Sequence, residues 1–224
     1  MPTLLACLLS AALASAAPAP ARSVAEPPSA KPANVDPVNA LPGMTADAER
    51  ARDAAGRGAW DEAQARLAQS GPKLDAMQHE VDHDVWLRAR SNWVAARLAA
   101  TQHDALRAQL SANHLAQDLI ELARNFRSTP STEALQLVAL LHEVRLQTLA
   151  DEPNRARASM ATAQLVWFRL RRADTAAQRK SFLQFDAELK AAALSLGREP
   201  ELMRAAISRA IIGATELQET FFVR

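Results

Sequence analysis

The chain has 224 residues, with 26 Lys and Arg set against 25 Asp and Glu, and five His. Charge so evenly balanced, without long runs of one sign, gives no electrostatic reason to expect nucleic acid or an anionic membrane as partner. One cysteine in the whole chain excludes an internal disulfide, so stability has to come from packing.

At the start, Leu4 to Ala14 form an apolar run followed by Ala14-Ser15-Ala16. The run has the length of a secretory h-region and ends on an A-x-A cleavage signal, although no Lys or Arg precedes it. It is too short to cross a bilayer, which takes about 20 apolar residues. The expectation is a signal peptide over 1–16 and a periplasmic or secreted mature protein with no membrane span. Leu4-Leu5-Ala6-Cys7 also resembles a bacterial lipobox, which implies a lipoprotein anchored through Cys7 as the alternative.

Residues 17–43 are rich in Pro and Ala and poor in large apolar side chains. Such a stretch buries too little surface to offset its ordering entropy, so a disordered linker is expected. The rest, 44–224, reads as a single helical domain. Its four prolines, Pro72, Pro130, Pro153 and Pro200, each precede a long apolar-periodic segment. Proline costs nothing in a first helical turn, where its missing N–H would be unpaired anyway. Each is therefore taken as a helix start, with Thr45 and Asp174 as further N-cap candidates and Gly197 as a C-terminal cap.

The spacing predicts helices over about 45–69 (broken near Gly56 and Gly58), 73–101, 103–127, 131–150, 153–172, 174–196 and 200–221. Phe182, Phe185, Leu189, Ala192 and Leu196 trace one apolar stripe, as do Leu115, Leu119, Leu122 and Phe126. No segment alternates with a period of two. The fold class expected is all-α, an up-and-down antiparallel bundle of about six to seven helices. The alternative is a short α-solenoid, because GAWDEAQARLAQSGPK resembles half of a tetratricopeptide unit, with Gly58, Trp60 and Ala63 at that family's spacing. No 34-residue period follows it.

His79-Glu80-Val81-Asp82-His83 matches the H-E-x-x-H pattern of zinc metallopeptidases. The metzincin glycine and third histidine are missing after it, and no strand offers a substrate edge. The match is read as coincidental and the protein as no enzyme. A metal reading remains open. On one continuous helix, Asp75, His79 and His83 form a column able to hold Zn²⁺ or Cu²⁺. His114 with Asp118 and Glu121, or His142 with Glu143, could complete the ligand set. The structural reading of the same face puts His79 and His83 in a seam with Trp86, Arg90, Trp93 and Arg97, where rings bury and guanidinium groups lie across them. No nucleotide loop and no nucleophile elbow occurs. The function expected is a non-enzymatic binding or interaction module with a possible protein partner and no cofactor; the alternative is a Zn/Cu-binding bundle using Asp75, His79 and His83.

Overall fold

The structure, a computed structural model, describes residues 35–126, 129–173 and 179–222. The expected signal peptide, Cys7, most of the expected linker and the Asp174 cap candidate lie outside the described residues. Among the described residues there are eight α-helices and no strand. They are α1 (Pro37–Gly56), α2 (Trp60–Ala76), α3 (His83–Thr101), α4 (Ala105–Phe126), α5 (Pro130–Leu149), α6 (Pro153–Leu170, continued by a 3₁₀ turn), α7 (Arg179–Ser195) and α8 (Pro200–Phe222). Pro130, Pro153 and Pro200 stand at helix starts as expected, and Gly197 takes the left-handed conformation (φ +88°) after α7.

Eight helices rather than six or seven result from local decisions near the N-terminal end. Helix α1 begins inside the expected linker. Asp36 Oδ1 accepts the amide of Val38 at 3.0 Å, and Pro37 occupies the first turn. Thr45 is consequently not a cap. It is buried in mid-helix and its hydroxyl donates to the Leu41 carbonyl at 3.0 Å.

Pro72 does not begin a helix either, because α2 runs straight through it. The indole of Trp93 donates to the Leu67 carbonyl at 2.6 Å, and that of Trp86 to the Leu74 carbonyl at 2.8 Å. These bonds hold the helix on both sides of the proline, where an amide is missing. The expected helix over 73–101 breaks instead at Met77–Asp82, and Asp82 caps α3 by accepting the Val85 amide at 3.0 Å.

Packing follows two closed rings. Helix α1 packs on α2 and on α4, and α3 lies against α2 and α4. In the second ring α5 packs on α6 and α8, and α7 on α8 and, more lightly, α6. Contact between α4 and α5 joins the rings side by side. The return of α4 onto α1 distinguishes this bundle-like packing from a solenoid, whose units touch only their sequence neighbours.

Each ring encloses its own core. The first holds Leu41, Met44, Leu67, Leu74, Met77, Trp86, Trp93, Leu115 and Leu119. The second holds Leu137, Leu141, Met160, Trp167, Phe182, Phe185, Leu189, Ile207 and Leu217. Alanines 54, 55, 63, 99 and 108 close one end of the first ring, where small side chains let helices approach. Among the described residues no helix is long and apolar enough to cross a membrane.

Candidate functional site

Because α4 lies between α1 and α5, the outer surface of these helices is free to form a trough closed at one end by α8. A cavity of about 540 Å³ opens there. Its apolar wall comes from Leu41, Ile120, Ala123, Phe126 and Leu135, with Pro37, Val38 and Pro42 from the first two turns of α1. Thr45, Thr129, Ser131, Thr132 and Gln218 supply the neutral polar groups, and among the described residues Glu49 is the one charged group on the wall. Leu41, Thr45 and Glu49 reach the same site because they are spaced by four on α1.

Most of the wall's hydroxyls are spent within the protein. Thr45 donates to Leu41 O at 3.0 Å, and Ser131 to Phe221 O at 3.2 Å. Thr129 and Thr132 form a reciprocal capping box at the start of α5. Glu49 differs. Its Oε1 is shut off from solvent and has no hydrogen-bond partner. Burial pushes its carboxyl above the usual range, against the opposing pull of Arg52.

Beyond Glu49 the trough becomes polar. Arg52 is 3% exposed; its Nε donates to Asp53 at 2.9 Å and its Nη1 to Asn113 Oδ1 at 3.1 Å. Asn113 in turn donates to the Ala139 carbonyl of α5 at 3.0 Å, tying α1, α4 and α5 together. His142 and Arg145 border this seam, and neither His142 Nδ1 nor Arg145 Nε has a partner. Burial, with Arg52 and Arg145 adding to it, pushes the pKa of His142 down to about 2, so the ring is neutral.

The residues singled out from the sequence lie elsewhere. The column of Asp75, His79 and His83 required one helix, and α2 ends at Ala76. Asp75 pairs with Arg90 at 2.9 Å. His79 is exposed in the turn, and His83 opens α3 with its ring stacked 6.0 Å from Trp86. Asp118 and Glu121 hold Arg88 at 3.3 and 2.6 Å, and His114 meets Glu143 at 3.6 Å across α4 and α5. The Glu143 carboxylate, accepting from the imidazole, raises the His114 pKa. His142 and Glu143, adjacent in sequence, face different surroundings. No three His, Cys, Asp or Glu among the described residues lie close enough to share a metal ion.

The tryptophan seam is present as expected: Trp86 and Trp93 are each 8% exposed. Arg90 and Arg97 lie over the Trp93 ring, at 4.3 and 4.9 Å from its centre. Glu49 and Arg52, in contrast, were invisible in the sequence. In DAERARDAAG nothing separates them from a solvated charged face, and the first turns of α1 read as linker. Comparison of the chain with known protein families, with curated proteins and with solved structures finds no match in any of the three.

Proposed function

We propose that this is an exported, non-enzymatic binding protein and that the cavity between α1, α4, α5 and α8 is its ligand site. The observation that carries the reading is the wall itself: about 540 Å³ bounded mostly by apolar side chains with one ionisable group among the described residues, Glu49. Sites for small molecules commonly span about 300–1,000 Å³, mostly apolar with a few placed polar groups. Catalysis by acid and base would call for a second group within hydrogen-bond reach of the first, and the described residues of the wall supply none.

The test is binding of a neutral apolar fluorophore, N-phenyl-1-naphthylamine, to the full chain. Ala46, only part-buried at the cavity, is replaced by Trp to fill the space from an α1 position outside the core. Saturable fluorescence enhancement in the parent, lost in Ala46→Trp, is the expected result. Equal binding by both proteins, or none by the parent, would remove the cavity from consideration. Export is tested separately, by the N-terminal sequence of the protein recovered from the periplasm or medium; a chain found only in the cytoplasm contradicts it.

A further inference from the structure

The cavity's polar groups discriminate among possible ligands, and the argument rests on its being a binding site. Four hydroxyls on the wall are already engaged with backbone groups. They leave little hydrogen-bonding capacity for a polar ligand body. Gln218 is also uncommitted but uncharged; the ionisable group on the wall among the described residues is Glu49, whose Oε1 is buried without a hydrogen-bond partner and which sits one turn beyond Thr45 on the same face of α1. A buried acceptor without a donor costs roughly 1–3 kcal/mol, more if charged, so it marks where a partner would be most strongly felt.

From this geometry we infer that the cavity takes an amphipathic primary amine. Its hydrocarbon body would lie among Leu41, Ile120, Ala123, Phe126 and Leu135, and its ammonium would donate to Glu49. An anionic amphiphile fits worse, because the one charge on the wall among the described residues is itself an acid. The guanidinium groups beside Glu49 on α1 are already paired, Arg50 with Asp47 and Arg52 with Asp53 and Asn113. A quaternary ammonium supplies charge and no N–H, and so leaves Oε1 unpaired. Burial disfavours the Glu49 carboxylate more than Arg52 and Arg50 favour it, and a bound ammonium would add to their opposing pull.

The experiment is displacement of N-phenyl-1-naphthylamine from the full chain by n-decylamine, n-decanol and n-decanoate, each below its micelle-forming concentration. Decylamine should compete at least about tenfold better than decanol, the scale of one charge-assisted hydrogen bond, and decanoate should be the weakest. In Glu49→Gln, which keeps the shape, decylamine should fall to the level of decanol, each measured against dye affinity in that same variant. Decylamine no better than decanol in the parent, or an amine preference that survives Glu49→Gln, overturns the amine and leaves the cavity standing, provided Ala46→Trp abolishes dye binding. Dye binding unaffected by Ala46→Trp overturns both.

Discussion

Gly71 is the position where a single methyl group should report on the packing of the first helical ring. In mid-helix, Gly→Ala ordinarily stabilises by about 0.5–1 kcal/mol, because the unfolded chain loses freedom it would otherwise regain. Here a Cβ would stand 2.3 Å from Trp93 Cζ2 and 2.9 Å from Cε2 and Cη2. The ring cannot retreat easily. Its Nε1 is bonded to Leu67 O, and Arg90 and Arg97 cover it. Overpacking of this kind costs about 1–3 kcal/mol, so Gly71→Ala should be net destabilising by roughly 1–2 kcal/mol.

Trp93→Ala alone should cost about 3–5 kcal/mol, through the lost buried aromatic and its bond to the Leu67 carbonyl. In that background the obstacle is gone. Gly71→Ala should then recover its ordinary sign and stabilise by about 0.5–1 kcal/mol, a coupling of roughly 2–3 kcal/mol. The four proteins are compared by urea unfolding followed by far-UV circular dichroism, with m-values checked for constancy. If Trp93→Ala leaves too little folded protein, Trp93→Leu serves in its place. A stabilising Gly71→Ala in the parent, or the same cost in both backgrounds, would refute the contact between Gly71 and Trp93.

His142 should shape the acid limb of the stability curve. Unfolded, it takes up a proton near pH 6.5; folded, it resists until about pH 2, so stability is lost as pH falls below 6.5. Between pH 7 and pH 5 this amounts to about 1–2 kcal/mol, and the difference in unfolding free energy between the parent and His142→Leu should shift by that amount. Curves that stay parallel would contradict a buried neutral ring. His114, whose pKa is raised by Glu143, acts with the opposite sign and is unchanged in that comparison. Asp151 ends α5 at φ +56°, a region that costs a non-glycine residue about 1–2 kcal/mol. Asp151→Gly should therefore raise the unfolding midpoint, by about 0.5–1 kcal/mol in stability; a lowered midpoint would point to a role for the Asp151 side chain that its backbone does not explain.

The all-helical character and three helix starts were legible because they depend on local chemistry: apolar spacing, and proline where an amide is dispensable. The Trp86–Trp93 seam was legible too, since residues seven apart share a face of any helix. Where the chain's reading and its structure part company, a distant group had intervened. Pro72 reads as a start until two indoles from α3 hold α2 together around it. His79 and His83 read as a column until Asp82 caps a new helix between them and Arg90 takes Asp75. The cavity has no sequence signature at all. Its walls come from four helices that meet only because α4 packs back onto α1 and α5 onto α8. Glu49 is an ordinary charged residue in an alanine-rich helix until that packing removes it from water. Periodicity tells which face of a helix is apolar; which helix covers that face, and which charge is stranded beneath it, is settled by contacts between residues far apart in the chain.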